Sequence, residues 1–423
     1  MHGRLRRTSI SAVVALLCVV LVATLTGASD GWRPTGPLLM GGLDGEPGAV
    51  HTVPTDVPAR EPTTAERAWL DAGSIPGDTP QHRDMAERAL LDLRLLTRPD
   101  GAVTASWHSF WSNIWPRDGS WVAAAYTATG HHTEALAVLR RLAELQRPDG
   151  TWEARYTVDG VAPDGRAAQQ DAAGWVSWAV WFWYVVQDPA DPAVRAGLAE
   201  LWPAVRAAAD HTAASLNRSG LPPSGADYWE KRTDQMTLGT AAPLLAGLRG
   251  AADLAERTGE HAFARRWSAA AARLDQGVHR WYGAYGYQRT PSPGGGEDSA
   301  VTWLGPPFAA PDPGVGAAVR RTADRLTLPN GGILPGLDWA GDPTTAWTPE
   351  TASFALYDAA SGHTGQALSR LDWLAAHRTP YGSLPEKVGP DGSPASVAPL
   401  AWTGATVLLA LTATERALPV PPE

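Results

Sequence analysis

Two glutamates stand in loops that suit carboxyl chemistry. Glu230 follows Trp229 at the end of a Pro/Gly-rich loop, just before a helical stretch. Glu386 lies in Leu384-Pro385-Glu386-Lys387, a short loop after another such stretch, with Pro385 stiffening its approach. Splitting a glycosidic bond needs two carboxyl groups. One protonates the leaving oxygen and the other acts on the anomeric side, as base or nucleophile. The apolar Trp229 ring beside Glu230 suits a carboxyl that must hold a proton. The alternative is that both are surface glutamates that cap helices or pair with arginine.

Other polar residues occupy comparable loops: Trp115-Pro116-Arg117-Asp118, Gln169-Gln170-Asp171, Asp227-Tyr228-Trp229 and Trp347 with Glu350. Arg117 and Asp118 read either as an ion pair at a helix start, where Asp favours the first turn, or as a clamp on sugar hydroxyls. Trp107, Trp111 and Trp115 cluster before a helix and are candidates for a sugar platform, whereas Trp175, Trp178, Trp181 and Trp183 on one helix read as core. The histidines show no metal-ligand spacing, and His131-His132 reads as a solvated turn. No Gly-rich phosphate loop and no Gly-x-Ser-x-Gly occurs, so the reading includes no metal and no cofactor.

The elements that must position these residues are helices. Stretches rich in Ala and Leu alternate at helical period with Gly-marked turns, and one turn theme occurs six times. It is centred on glycines 101, 150, 220, 286, 331 and 382, spaced by 49, 70, 66, 45 and 51 residues. Each copy follows a helix end, where glycine supplies the left-handed conformation. The intervals predict helices over 118–129 with 131–146, 170–188 with 191–216, 234–258 with 260–280, a weak 297–308 with 313–327, and 347–360 with 362–377. One unpaired helix remains at each end, 80–97 and 398–415. If these two pair, six helical hairpins close into an all-α (α/α)6 toroid; the rival is an open solenoid. In a ring the polar loops open on one face and converge, the usual place for binding and catalysis on a rigid scaffold.

Composition agrees with a globular chain: 44% apolar, 19% charged and a net charge of −9 in 423 residues, with no basic cluster after the N-terminus to hold nucleic acid. Twenty Trp beside five Phe is unusual, and indole suits both a core and flat polar ligands such as sugars. Arg4, Arg6 and Arg7, an apolar run from Ile10 to Leu25 and small residues at 26–28 read as a secretory signal over residues 1–28, or as an uncleaved anchor. The expected location is therefore secreted, or anchored on the outer side of the membrane through that segment alone. The only cysteine, Cys18, lies inside it. Residues 29–62 are rich in Gly and Pro and read as a linker or wrapping arm, leaving 63–423 as the toroid.

With these residues in place, the chain from about Arg83 to the last helix resembles glycoside hydrolase family 15, the glucoamylases and their relatives. Trp115-Pro116-Arg117-Asp118 resembles the segment that binds the non-reducing glucose. The stretch from Gly220 to Arg232 resembles the one carrying the general acid, at Glu230. Leu384-Pro385-Glu386, followed by Pro399 to Thr403, resembles the general-base segment, with the base at Glu386. The resemblance implies an exo-acting, inverting hydrolase that removes glucose from the non-reducing end of an α-glucan or α-glucoside. Arg117, Asp118 and Trp115 would hold the terminal sugar, Asp227 would support the acid segment, and Glu386 would activate water. Asp171, Tyr228, Trp229 and Trp347 complete the expected oligosaccharide- or polysaccharide-binding set.

The chain departs from the family at Lys231, where an acidic residue usually follows the acid, and at Lys387, where Gln usually follows the base. Trp347 to Glu350 stands where many members carry an arginine. Two rivals follow: a surface carbohydrate-binding protein with impaired catalysis, and an isoprenoid-cyclase-like toroid suggested by Gln146 to Trp152. The second lacks the Asp-x-Asp-Asp acid that protonating cyclases need.

Overall fold

The computed structural model describes residues 36–423; the apolar N-terminal segment lies outside the described residues. The compact unit runs over Thr35–Trp339 and Thr344–Glu423. It is an (α/α)6 toroid. Its outer helices are α2 (Pro80–Leu96), α4 (His132–Glu144), α6 (Pro192–Ser215), α8 (His261–Gly277), α9 (Pro313–Leu326) and α11 (Thr364–Ala376). Its inner wall is α3 (Pro116–Ala128), α5 (Asp171–Val186), α7 (Leu238–Arg257), a 3₁₀ segment Ser299–Leu304, α10 (Thr348–Ala360) and α12 (Ala401–Glu415). Each inner element packs on the next, and α12 packs on α3, so the inner wall closes. The unpaired first and last helices, α2 and α12, pack together as the sixth hairpin.

Sequence explains why the two rings differ. Several outer helices start on a Thr-Pro or Asp-Pro step: Thr79, Asp191 and Asp312 each accept a backbone N–H of the first turn, and proline fills the first helical position. Their buried residues fall on one stripe, as in α9, where Val315, Ala318, Val319, Thr322, Ala323 and Leu326 face inward. The inner helices are apolar nearly all round. Every residue of α3 is buried, and so is α5 from Asp171 to Tyr184. A helix with no polar face must be covered on all sides, and the outer ring covers it.

The repeat glycines lock one hairpin to the next. All six have φ between 71° and 92°, the left-handed region that other residues avoid. In all six copies the glycine N–H donates to the carbonyl three residues back, as Gly101 does to Arg98 at 2.9 Å and Gly382 to Thr379 at 2.8 Å. A methyl group on Gly101, Gly150 or Gly220 would collide with the backbone carbonyl of Ala137, Ala207 or Arg273. Each of these carbonyls belongs to the following outer helix. Gly286, Gly331 and Gly382 lie instead against the side chains of Arg321, Trp373 and Arg88, so the last copy seats on α2, the first outer helix.

Four features differ from the sequence reading. Residues 36–62 are not featureless: β1 (Gly42–Glu46) and β2 (Ala49–Val53) form an antiparallel hairpin that buries Leu43 and Val53. A short helix, α1 (Thr64–Leu70), follows, held by a capping box between Thr63 and Glu66. The weak helix expected over 297–308 is a 3₁₀ turn of six residues. His131 is not solvated: it is 4% exposed and stacked on Trp69 of α1 with ring centroids 4.0 Å apart. Burial pushes its pKa below the usual histidine value.

Candidate active site

One cavity is lined by the segment before α3, by the loops before α7 and α10, and by the segment between α11 and α12. It measures about 240 Å³, far above the roughly 10–15 Å³ that one water needs, so it is large enough for a ligand. Glu230 and Glu386 both line it, as do Trp115, Arg117, Asp118, Tyr228, Trp229 and Trp347. Among the described residues, six tryptophans (Trp111, Trp115, Trp229, Trp339, Trp347 and Trp402) face this space. Trp121, Trp175, Trp178 and Trp303 are packed with Phe308 in the core, with neighbouring centroids 4.9–6.2 Å apart.

The two glutamates are held by one short segment. Trp115 Nε1 donates to Glu230 Oε1, and Trp111 Nε1 donates to Glu386 Oε1 at 3.0 Å. These indoles are four residues apart in sequence, so a single loop positions both carboxyl groups. Trp107 has a structural role instead: its indole N–H donates to the Ala398 carbonyl at 3.0 Å.

Glu230 has φ of 60°, left-handed and uncommon for a residue with a side chain. A tight turn holds it there, with its N–H donating to the Asp227 carbonyl at 2.7 Å. Strain of this kind persists only where the surroundings over-determine it, and it concentrates at functional sites. Behind the turn, Arg289 bridges Asp227 at 2.8 Å and Asp298 at 2.7 Å, and its guanidinium lies 3.6 Å from the Trp229 ring centroid. Asp227 therefore braces the turn from a buried position and does not line the cavity. The groups on the Glu230 carboxyl are the Trp115 indole N–H and the Arg166 guanidinium, both donors, with the Arg117 guanidinium 3.9 Å from Oε1, rather than the apolar face expected from Trp229.

Glu386 is anchored by a small antiparallel sheet of β3 (Ala346–Trp347), β4 (Lys387–Val388) and β5 (Pro394–Ala395). Its N–H donates to the Val397 carbonyl at 2.8 Å, and its carbonyl accepts from Thr348 N at 3.1 Å. Ser396, itself at φ of 67°, donates its hydroxyl to Glu386 Oε2. Lys387 Nζ lies 3.3 Å from the same oxygen and 4.3 Å from the Trp347 ring centroid. The N-terminal arm reaches this support, since Leu39 N donates to the Ser396 carbonyl at 2.9 Å. Lys231, the other departure, sits over Trp339 at 5.2 Å.

Arg117 and Asp118 are 5% and 4% exposed, the deep polar part of the wall. Arg117 donates to Gln169 Oε1 at 2.7 Å and to Asp171 Oδ2 at 3.3 Å, and lies 3.6 Å from Asp118. Its guanidinium also lies 5.0 Å from the Trp402 ring centroid. Asp171 thus orients Arg117 from behind and is not part of the cavity lining. Burial pushes Asp118 and Asp171 each up to about 6.

Sequence reasoning missed several residues. Trp402 and Glu350 lay in quoted segments but had no assigned role. Trp339, Arg166 and Arg289 come from stretches without a repeat signature, and nothing in the sequence marked them.

This arrangement can be set beside known proteins. No family model matches the chain. An uncharacterized glycosyl hydrolase of Methanocaldococcus jannaschii is 31% identical over 98 residues, which is 23% of this chain and 16% of that relative's length. A glycosidase variant solved in complex with glucose superposes at a TM-score of 0.63 and 20% identity, covering 84% of this chain and 99% of its own. A bacterial glucoamylase complexed with acarbose gives 0.64 at 17% identity, over 84% of this chain and 58% of its own. The glucoamylase of Saccharomycopsis fibuligera gives 0.59 at 14% identity, over 85% and 97%. The likeness is one of fold.

Proposed function

We propose that the chain is an exo-acting, inverting glycoside hydrolase that releases glucose from the non-reducing end of an α-glucan or α-glucoside. The observation that carries this reading is that Glu230 and Glu386, from loops of different hairpins, line one tryptophan-walled cavity. Support also comes from the fold it has in common with glucoamylases. In this mechanism Glu230 delivers a proton to the departing glycosidic oxygen while Glu386 takes one from water attacking the anomeric carbon. Arg117 and Asp118, at the buried end, hold hydroxyls of the terminal sugar. A cavity with a buried polar end takes a chain end rather than its middle, which supports exo action. The basic start and apolar run of residues 4–25 support export, or anchoring at the outer face of the membrane.

The experiment is glucose release from maltose, isomaltose, trehalose and soluble starch, with proton NMR of the earliest product. Inversion at an α-linkage gives β-glucose before mutarotation. Initial α-glucose would make Glu386 a nucleophile in a double displacement. No glucose from any substrate would overturn the hydrolase reading and favour a carbohydrate-binding protein. One observation favours that second reading: both glutamates are engaged by cations, Glu230 by Arg166 and Arg117 and Glu386 by Lys387.

A further inference from the structure

Glu350 is a cavity-lining carboxyl group that the acid–base pair does not use. It stands in the first turn of α10, 3% exposed, and its Oε2 is buried without a hydrogen-bond donor. The hydroxyls nearest to it in sequence are committed elsewhere. Thr351 donates to the Trp347 carbonyl at 2.8 Å, and Thr348 shares a hydrogen bond with Thr403 at 2.8 Å. The charged and titratable groups that act on Glu350 are Glu386 from the segment before α12, Asp298 from the 3₁₀ segment's cap, Arg117 from α3, and Tyr228 from the loop before α7. Arg117 is engaged by Gln169, Asp171, Asp118 and Glu230. Burial first, and then the Glu386 carboxylate, push Glu350 up to about 8.

A protonated carboxyl group offers one O–H donor as well as acceptor oxygens. An unsatisfied polar group of this kind in a wall is costly, and that penalty disappears when a ligand supplies the partner. The cavity faces it, and the ligand proposed for that cavity is rich in hydroxyls.

We propose that Glu350 determines sugar specificity by donating a hydrogen bond to one hydroxyl of the bound terminal sugar. This rests on the cavity being a sugar site. Discrimination of this sort is strong because a sugar lacking the hydroxyl leaves the buried donor unpaired. Glu350 takes no part in proton transfer to the glycosidic oxygen; it reads the ring.

The test uses the full chain and a set of aryl α-glucosides, each lacking one of the 2-, 3-, 4- or 6-hydroxyls. Wild type should lose about tenfold or more in kcat/KM on one of them. Glu350→Ala should lose about tenfold on the parent glucoside, mostly in KM, and show no further loss on that same analogue. Its penalties on the other three should match wild type. Glu350→Gln keeps an N–H donor, so its KM should stay near wild type and flat from pH 7 to 9.5. The wild-type KM should rise above pH ~8, where the proton is lost. If Glu350→Ala fails to fold, the pH profiles of wild type and Glu350→Gln decide alone. A wild type that cleaves the glucosides, with Glu350 variants showing its own deoxy pattern and pH profile, overturns this inference alone. A wild type that neither binds nor cleaves any glucoside overturns the sugar-site reading with it.

Discussion

Replacing Glu350 by Gln should make the folded protein more stable at neutral and alkaline pH, by an amount that grows with pH. The carboxyl group has an ordinary value of 4.5 and is pushed up to about 8 in the folded state, chiefly by burial. Between those values the folded chain holds a proton that the unfolded chain has released. Unfolding is therefore favoured more strongly as pH rises, by about 1.4 kcal/mol per pH unit. The stability is fully present below about 4.5 and is lost as pH rises to about 8. Across that window the loss approaches roughly 5 kcal/mol, and at pH 7 roughly 3 kcal/mol. Relaxation and water entry into the cavity lower both figures, so they are ceilings. Glutamine does not titrate and removes this term. The assay is urea unfolding followed by tryptophan fluorescence, at pH 5, 6, 7 and 8, for wild type and Glu350→Gln. Asp118 and Asp171 titrate in both proteins, so the difference between the two curves isolates Glu350. That difference should widen steadily from pH 5 to 8. A constant offset would refute the claim that Glu350 holds a proton in the fold.

Three further outcomes follow from the geometry. Glu230→Gln should cut turnover on maltose-type substrates by about 10²–10⁴-fold, with a smaller loss on glucosides that carry an activated leaving group; equal losses would remove Glu230 from the acid role. Arg166 lies on Glu230 Oε2 while Trp115 donates to the other oxygen, so a proton can be delivered only after Arg166 turns away. Arg166→Ala should raise kcat on substrates that need protonation by up to about fivefold, the worth of a partly exposed ion pair, and leave activated glucosides unchanged; a fall on both would assign Arg166 to substrate binding. Gly101→Ala should destabilise by at least ~1–3 kcal/mol, because φ is 81° and the new methyl group meets the Ala137 carbonyl. Denaturant unfolding measures it, and a change near zero would show that the interlocking turn yields freely.

Much of the fold was legible because the helices carry their own punctuation. Asp-Pro and Thr-Pro steps start three of the outer helices, the six glycines follow the ends of all of them, and the apolar inner helices have no other place to be. The 3₁₀ segment was ambiguous because Ser299–Leu304 makes up only two turns' worth of residues. The hairpin over 42–53 was hidden because each strand buries a single apolar side chain at most, too little alternation to show a period. That omission carried over to His131, whose burial depends on Trp69 of the unforeseen helix α1. Within the candidate site, residues inside motif-like loops could be named from sequence. Asp171 and Asp227 share those loops, yet their supporting rather than lining position depends on Arg117 and Arg289 reaching back to them. Arg166, Trp339 and Arg289 converge only through tertiary packing, which local pattern does not encode.

The closed chain of glycine seats, with Gly382 resting against Arg88, means that the molecule has no end repeat. Open helical arrays fray from their caps and gain stability one unit at a time. Here every hairpin has two neighbours, and the joint between α2 and α12 unites segments more than 300 positions apart, as the contact from Gly77 N to Glu415 shows at 2.5 Å. Contacts of such separation are slow to form, since a very long loop must close before they repay it. During synthesis the first five hairpins would emerge as an arc with both edges bare. Only the arrival of α12 covers the apolar flank of α3 and brings the Pro399–Thr403 stretch up beside the cavity. The site is therefore completed last, and a ribosome that stops before α12 releases a sticky arc with neither a pocket nor a protected edge.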